Sequence, residues 1–214
     1  MDGDPVSRVF PLADDVEQAI HAAAGALRAG ELVVVPTDTV YGLAADAFIA
    51  SATARVFEVK QRPRALPLPV LVSRAKQAWA LVASVPPGAE VLAEEFWPGA
   101  LTMVLPQGSG LVWDLGESDG TIALRMPDHQ HLLTLLETTG PLAVTSANIS
   151  GEATPSTVEE IRGRLGDAVG VYLDDGPARA ASGSTIVDLT SPTPRIIREG
   201  PISADAVRRA LASV

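Results

Sequence analysis

The sequence predicts an α+β fold in which helices cover a mostly buried β-sheet. Segments with apolar residues at helical spacing alternate along the chain with short runs rich in β-branched residues. The 214 residues are 47% apolar and 20% charged, which allows a soluble chain of this length to bury a sizeable core. No internal repeat, low-complexity tract or linker-like change of composition interrupts the pattern. We therefore expect one domain over residues 1–214.

Capping residues and apolar spacing predict the helices. The first follows Asp14 as its cap and closes at Gly30. The second starts at Ser51 and ends before Pro63, because the residue ahead of a proline avoids helical dihedral angles. Further helices are expected near 74–82, 88–96, 128–138, 156–166 and 203–211. Three of these have marked starts, at Asp128, at a capping box of Ser156 with Glu159, and at Ser203.

The strands are predicted from short apolar runs bounded by turn residues. The run at 32–35 is β-branched and hydrophobic on both sides, which is typical of a central buried strand. Similar runs lie at 68–72, 100–105, 121–126, 141–145, 169–173, 185–189 and 195–198. Residues 107–120 are rich in glycine and lack periodicity, so they are predicted to form a loop, and 176–184 a flexible connection. Trp97, at a sharp Trp-Pro-Gly turn, is interpreted as a core residue.

Charge and composition exclude several functional classes. The formal net charge is −10 and the sequence pI is about 4.7, which argues against direct binding of tRNA or other nucleic acids over a broad surface. Cysteine is absent, so disulfides, thiolate zinc sites and a cysteine nucleophile are excluded. The acidic N-terminus has no hydrophobic signal core, and no apolar run approaches the roughly 18 residues of a membrane span. We expect a cytoplasmic protein without a membrane segment.

The segment VFEVKQRPR concentrates positive charge in an otherwise acidic chain. Lys60, Arg62 and Arg64 lie within five residues at the end of an apolar run, and Pro63 stiffens the segment. Such a cluster can bind an anion at the mouth of a cavity. The alternative is a solvated helix end, where Lys and Arg complement the helix dipole without a ligand.

Polar residues also follow or interrupt other predicted strands. PTDTVYGL, at 36–43, places hydroxyl groups and an acid at the exit of the first strand, where side chains can reach a ligand, although a plain turn would have the same composition. Arg125 lies among apolar residues of a strand and needs a cleft or a carboxylate partner. Ser146 and Asn148 follow another strand. His129 and His131 are two residues apart, on different faces of a helix, so a shared metal site is not expected.

Taken together, PTDTVYGL, KQRPR, FWPGALT, ALRMPDH, TSANISG, STIVDL and PRIIREG resemble, in order and spacing, the YrdC-like family of L-threonylcarbamoyladenylate synthases. The resemblance covers about residues 30–201. It implies a YrdC/RibB-like fold, a three-layer arrangement with helices on both faces of a mixed, twisted sheet around a central basic cavity. It also implies an enzyme that converts L-threonine, bicarbonate and ATP into threonylcarbamoyl-AMP and pyrophosphate. A separate tRNA threonylcarbamoyl transferase complex would then use that product.

The resemblance also assigns roles to residues. It implies that Lys60 and Arg62, with Arg64, hold the ATP phosphates, and that Arg198 contacts the nucleotide. Ser146 and Asn148 would contact the nucleotide and the reacting centre. Thr37 and Arg125 would hold threonine, Arg125 by a bidentate grip on its carboxylate. The remaining ligand-contacting positions are Thr121, Thr154 and Ser184. Mg²⁺ would accompany the triphosphate, held by phosphate and water rather than by a protein metal site.

The chain departs from the family pattern at two positions. Leu71 stands where many relatives have a histidine, and Gly183 replaces the acid of a Glu-Ser-Thr run, so recognition of threonine is expected to differ in detail. The chain ends at Val214, as in the short bacterial type. Two alternatives remain: a module that forms carbamoyl adenylate, and a non-enzymatic module that binds RNA or tRNA in the same basic cavity.

Overall fold

The computed structural model describes residues 7–212, so much of the acidic start of the chain, used above to predict the absence of a signal segment, lies outside the described residues. The strands are β1 (Arg8–Pro11), β2 (Val33–Val35), β3 (Gly42–Asp46), β4 (Val70–Leu71), β5 (Leu101–Pro106), β6 (Thr121–Arg125), β7 (Leu142–Ser146), β8 (Val171–Asp174), β9 (Thr185–Asp188) and β10 (Arg195–Arg198). They form one 10-stranded sheet in the order β1-β8-β2-β3-β7-β4-β6-β5-β9-β10. Parallel and antiparallel neighbours both occur, which confirms the predicted mixed sheet.

The helices connect these strands in an interleaved order, as predicted. They are α1 (Val16–Arg28), α2 (Ala50–Lys60), α3 (Ala75–Trp79), α4 (Pro87–Phe96), α5 (Gln130–Thr139), α6 (Val158–Leu165) and α7 (Ala204–Leu211). A short 3-10 turn, Gly166–Ala168, follows α6. None of the helices in the described part of the chain has the length and apolar character needed to cross a bilayer.

Helices pack on both faces of the sheet. Val33 and Val35 belong to a hydrophobic cluster with side chains of α1 and α5, whereas Val34 belongs to a second cluster with α2, α4, α6 and α7. Successive residues of a strand point to opposite faces, so the two clusters lie on opposite sides of the sheet. The α1 and α5 cluster reaches only the part of the sheet formed by β1, β8, β2, β3, β7 and β4. The rest of that face is left for a cavity.

Three helices start one residue later than predicted. Their N-caps are Asp15, His129 and Thr157 in place of Asp14, Asp128 and Ser156. Each accepts a hydrogen bond from the backbone N–H three residues further on. Glu160 replaces Glu159 in the predicted capping box, and its carboxylate accepts the backbone N–H of Ser156 at 3.0 Å. Two adjacent residues could cap each helix, and the approach of the preceding chain decides between them.

Two strands were missed by the sequence analysis. β1 is largely exposed and therefore has no apolar alternation, and β3 consists mainly of small residues with low strand propensity. The predicted placement of the two histidines on different faces of a helix was also wrong. The rings of His129 and His131 contact each other edge to face with centroids 5.9 Å apart, because His129 caps the helix with extended backbone instead of lying within it.

Trp97 is a core residue, as predicted. Its ring is buried and stacks on Trp79 with centroids 5.7 Å apart, and its Nε1–H donates to the carbonyl of Leu101 at 2.8 Å. The segment 176–184, predicted to be a flexible connection, makes a backbone hydrogen bond to another part of the protein. The N–H of Ala180 donates to the carbonyl of Thr39 at 2.9 Å. This bond ties the segment to the PTDTVYGL loop.

Candidate active site

A cavity of about 530 Å³ lies on the part of the sheet that α1 and α5 leave uncovered. Thr102 and Val104 of β5, and Thr121, Ala123 and Arg125 of β6, line it at every second position. This spacing is that of one face of a sheet. No residue of a described helix contributes to the wall, so the cavity is built from strands and the loops that connect them. Its volume suits a ligand of nucleotide or drug size.

The walls of the cavity are basic and rich in hydroxyl groups. Arg62, Arg125 and Arg198 line it, and none of the described lining residues carries a carboxylate. The hydroxyl-bearing residues of the lining are Thr37, Thr39, Tyr41, Thr102, Ser118, Thr121, Thr145, Ser146, Thr154 and Ser184. A cavity with positive charge and no compensating acid in its walls favours anionic ligands.

Most of the residues assigned by sequence lie together at this cavity. Those that line it are Thr37, Arg62, Thr121, Arg125, Ser146, Thr154, Ser184 and Arg198. Lys60, Arg64 and Asn148 do not. The motifs therefore converge as predicted, but three of the assigned side chains occupy positions that differ from the expectation.

Lys60 is a buried residue and not a cation at the cavity mouth. Its side chain is 1% exposed, and its Nζ donates to the carbonyl oxygens of Ser146 and Asn148 and to Oδ1 of Asn148, the last two at 2.5 and 2.9 Å. Lys60 lies four residues after Val56 and three after Phe57, and so on the inner face of α2. Gln61 then adopts left-handed backbone with φ of 51°, which turns Arg62 towards the cavity instead.

Lys60 holds the turn that carries Ser146. Asn148 Oδ1 accepts from both Lys60 Nζ and Ser146 Oγ, the latter at 2.6 Å, while Asn148 Nδ2 donates to the carbonyl of Glu152 at 2.6 Å. Burial, and then repulsion from Arg62, lower the pKa of Lys60 to about 7. The three acceptors match the three N–H groups of a protonated amine. Lys60 and Asn148 therefore position Ser146 from behind the cavity wall.

Arg64 points away from the cavity. Its guanidinium lies over the ring of Phe57, 4.8 Å from the centroid, and pairs with Asp114 at the surface. Arg64 therefore does not line the cavity in this structure, and its assignment to the ATP site stays a prediction. The helix ends at Lys60 and the chain then turns, so the three cations of VFEVKQRPR diverge although they are close in sequence.

Arg125 has a carboxylate partner within the protein. Its Nη2 donates to Oδ1 of Asp38 at 2.6 Å, its Nη1 to Oγ1 of Thr39 at 3.1 Å, and its Nε to the carbonyl of Gly99 at 2.9 Å. Burial lowers the pKa of Arg125, and Asp38 opposes this effect. The partner that the sequence analysis required for this side chain is thus a carboxylate of the protein, and the grip on the threonine carboxylate stays a prediction. Asp38 is the acid of PTDTVYGL and was not predicted to be the partner of Arg125.

Arg62 and Arg198 have backbone acceptors instead of carboxylates. Arg62 donates to the carbonyls of Leu66 and Pro67 at 2.7 and 3.1 Å, and Arg198 donates through Nε and Nη2 to the carbonyl of Ser184 at 2.9 and 2.8 Å. Burial lowers the pKa of both guanidinium groups, Arg198 then lowers that of Arg62, and Arg125 that of Arg198. The cavity thus holds positive charges that repel one another in the absence of an anion.

Several hydroxyl groups already use their single hydrogen within the protein. Thr37 donates to the carbonyl of Val40 at 2.7 Å, Thr121 to that of Ser118 at 2.7 Å, and Ser146 to Asn148 at 2.6 Å. A hydroxyl committed in this way can only accept a hydrogen bond from a ligand. Towards the cavity, these groups match N–H or O–H donors, and the arginines match anionic oxygens.

A family model named Sua5_yciO_yrdC, described as "Telomere recombination", matches residues 25–200. The chain belongs to the Sua5/YciO/YrdC family. A Mycobacterium tuberculosis protein whose name assigns it provisionally to the threonylcarbamoyl-AMP synthases is 49% identical, over 96% of each chain. The threonylcarbamoyl-AMP synthase of Pyrococcus abyssi is 36% identical over 92% of this chain, which spans 58% of that protein.

Solved structures of the Sua5/YciO/YrdC family have the same fold. P. abyssi Sua5 in complex with L-threonine superposes with a TM-score of 0.90 at 34% identity, over 98% of this chain and 62% of the other. E. coli YciO superposes with a TM-score of 0.83 at 27% identity, over 92% and 97% of the two chains. The comparisons confirm the predicted family, and the superpositions confirm the predicted fold.

In this member of the Sua5/YciO/YrdC family, the loop 107–120 covers one side of the cavity. Leu115 and Ser118 line the cavity, and the carbonyl of Leu115 accepts the N–H of Leu68 at 2.8 Å. Glu117 N–H bonds to the carbonyl of Arg64 at 2.9 Å. The second half of the loop is therefore fastened to the segment that follows Arg62.

The residues of the cavity do not form a magnesium site. No group of three or more His, Asp or Glu side chains with metal-binding geometry occurs among residues 7–212, and the described lining has no carboxylate or imidazole. Mg²⁺ prefers carboxylate, phosphate and water oxygens. The described lining of the cavity therefore offers no protein ligands for this ion.

The burial of Lys60 can be measured by chemical labelling. Reductive methylation of the native protein at pH 8, followed by peptide mass spectrometry, should modify the exposed Lys76 and leave Lys60 unmodified, because its amine is enclosed by carbonyl groups. Both lysines should react after unfolding in guanidinium chloride. Equal modification in the native protein would place Lys60 at the surface and restore the interpretation as a cation at the cavity mouth.

Proposed function

We propose that this chain is an L-threonylcarbamoyladenylate synthase, which makes threonylcarbamoyl-AMP and pyrophosphate from L-threonine, bicarbonate and ATP. The observation that carries the proposal is the cavity of about 530 Å³ with three arginines and no acid in its described lining. The names of the M. tuberculosis and P. abyssi relatives support the same activity. So does the L-threonine in the P. abyssi Sua5 structure.

The first step joins two anions. Threonine binds as a zwitterion, and its ammonium group loses a proton to solvent before the chemistry. The neutral amine then attacks the carbon of bicarbonate, a C–N bond forms, and water leaves to give the N-carboxylate. Threonine and bicarbonate each bring a negative charge next to the triphosphate, so in water the three reactants repel one another. Guanidinium groups fixed in a cavity offset this repulsion and align the reactants without reorganisation during the reaction.

The second step transfers the nucleotide and places the enzyme among the nucleotidyltransferases. An oxygen of the carbamate attacks the α-phosphorus of ATP, the bond from that phosphorus to the bridging oxygen breaks, and pyrophosphate leaves with the electron pair. We assign Arg62 and Arg198 to the polyphosphate, because they line the cavity without a carboxylate partner of their own. Their charges would stabilise the negative charge that develops on the leaving group.

We assign Arg125 to the carboxylate of threonine. Its described hydrogen bonds use three N–H groups and leave two of the five for a ligand. Ser146, which lines the cavity and can accept a hydrogen bond, suits an amine or hydroxyl donor of the substrates. Thr37 also lines the cavity, but its oxygen already accepts the N–H of Thr39 at 2.9 Å, so it would offer a substrate donor at most one further acceptor position. Thr121, Thr154 and Ser184 would complete the nucleotide and substrate contacts. Mg²⁺ would arrive with ATP, held by phosphate and water.

The product is a mixed anhydride of a carbamate and a phosphate, which water hydrolyses readily. We propose that a separate tRNA threonylcarbamoyl transferase complex consumes it and that the enzyme acts in the cytoplasm. The chain itself has a net charge of −10, which disfavours direct tRNA binding.

Pyrophosphate release tests the proposal. Purified protein should release pyrophosphate only when ATP, bicarbonate and L-threonine are all present, and mass spectrometry should detect threonylcarbamoyl-AMP. Omitting each component in turn is the control. Release with carbamoyl phosphate and ATP but not with threonine would support a carbamoyl-adenylate-forming module instead. Salt-sensitive binding of RNA without turnover would support an RNA-binding module.

A further inference from the structure

We propose that Asp38 determines which ligand the Arg125 end of the cavity accepts: it neutralises Arg125, so that this end admits a zwitterionic amino acid and rejects polyphosphate. The inference rests on the proposed function and adds a residue that the assignment of the site does not include. Asp38 would act through Arg125, as a positioning and specificity-determining residue, without touching the substrate.

The first observation is where Asp38 lies. Its neighbours in sequence, Thr37 and Thr39, both line the cavity, but Asp38 does not. Its side chain is 13% exposed, and Oδ1 accepts from Nη2 of Arg125 at 2.6 Å and from the backbone N–H of Asp128 at 3.1 Å. The carboxylate therefore stands behind the guanidinium, on the protein side, and is held there by two donors.

The second observation is how charge is distributed among the three arginines. Arg125 is paired with a largely buried carboxylate that is 13% exposed, whereas Arg62 and Arg198 bond to backbone carbonyls. The Arg125 end of the cavity is thus close to neutral, and the Arg62 and Arg198 end has an excess of positive charge. A polyphosphate is attracted to the second end, and an amino acid, with no net charge, fits the first without disturbing its balance.

The difference in charge between the two ends of the cavity would keep the two ligands apart. Both ligands have anionic oxygens, and any of the three arginines can bind such an oxygen. If all three arginines were unpaired, pyrophosphate or the ATP phosphates could occupy the amino-acid end and exclude threonine. Asp38 repels a highly charged anion there but still leaves two N–H groups of Arg125 for one carboxylate. Discrimination of this kind works by disfavouring the wrong ligand.

Calorimetry with inorganic pyrophosphate and L-threonine tests the inference. In the wild type, the two should bind together, with the threonine dissociation constant changed less than about twofold by saturating pyrophosphate. Asp38→Asn keeps an oxygen for Arg125 and Asp128 but removes the charge. It should bind pyrophosphate about tenfold more tightly, in line with the effect of one neighbouring charge, and pyrophosphate should then compete with threonine.

Two further variants test whether the effect comes from the charge of Asp38, from the position of its carboxylate, or from the net charge of the protein. Asp38→Glu keeps the charge and should retain independent binding of the two ligands even if its threonine affinity falls. Asp114→Asn removes an acid that pairs with Arg64 outside the cavity, and should leave pyrophosphate affinity unchanged. The inference is wrong if Asp38→Asn binds pyrophosphate like the wild type, if Asp114→Asn tightens it equally, or if Asp38→Glu shows competition. Absence of threonine binding by the wild type would instead contradict the proposed function.

Discussion

Replacing Lys60 with methionine is expected to destabilise the protein by about 3 kcal/mol, because it removes three buried hydrogen bonds and leaves the carbonyl of Asn148 without a described donor. The carbonyls of Ser146 and Asn148 and the side chain of Asn148 all lose their hydrogen bond to Nζ. Methionine fills similar space and removes the cost of burying a charge, but it cannot replace these three hydrogen bonds. For a chain of this size, such a loss lowers the melting temperature by about 6–12 °C.

Turnover should also fall, because Ser146 is positioned through Asn148 and Lys60. If Lys60 acts on Ser146 only through this network, Lys60→Met combined with Ser146→Ala should be no slower than the slower single variant. The exposed Lys76 provides the control, and Lys76→Met should melt within about 1 °C of the wild type. A Lys60→Met protein with wild-type melting and no turnover would instead identify Lys60 as a cation that touches the ligand.

The order and type of most elements can be predicted from sequence, because apolar periodicity reports which face of each segment is buried. The helix starts were displaced by one residue where two capping residues are adjacent, as at Asp14 and Asp15. β3 could not be found, since Gly42, Ala44 and Ala45 carry no strand signal. It becomes a strand through its partners β2 and β7, and these pairings are set by tertiary structure.

The sequence predicts which residues lie near the site, but it does not predict which way their side chains point. The motifs identify the basic cluster, yet Lys60 is buried, Arg62 lines the cavity and Arg64 lies at the surface. Helical spacing could have predicted the burial of Lys60, because Lys60 shares a face of α2 with Val56 and Phe57. The partner of Arg125 was also within reach, since Asp38 is the acid nearest the strand exit, but contacts between distant segments leave no periodic signal.

The two departures from the family pattern can be understood from packing. Leu71 lies in β4, lines the cavity and packs with the α1 and α5 cluster, so an apolar side chain fits its surroundings. A Cβ atom at Gly183 would lie 2.9 Å from Nη2 of Arg198. Glycine thus allows the guanidinium to approach the backbone and bond to the carbonyl of Ser184. We expect an acid at this position to displace Arg198.

Arg198→Ala should reduce kcat/KM for ATP by about 100- to 1,000-fold, the range seen when one fixed donor to a developing anion is removed. The fold should persist, because the described hydrogen bonds of Arg198 all go to Ser184, to its carbonyl and at 3.5 Å to its Oγ, and water entering the cavity can satisfy both oxygens. Its melting temperature should therefore stay within about 3 °C of the wild type. Pyrophosphate release at varied ATP and saturating threonine measures the effect.

Arg195→Ala is the matched control for this prediction. Arg195 lies on the same edge strand, β10, but its guanidinium is 76% exposed and pairs with Asp188 outside the cavity. If the loss of turnover reflects phosphate binding inside the cavity, Arg195→Ala should keep kcat/KM for ATP within about twofold, since an exposed ion pair contributes little. Equal losses in the two variants would mean that β10 supports the cavity only as a strand. If Arg198→Ala instead lost threonine binding and kept ATP binding, the assignment of the two ligands to the two ends of the cavity would be reversed. Arg198 would then bind the amino acid and not the polyphosphate.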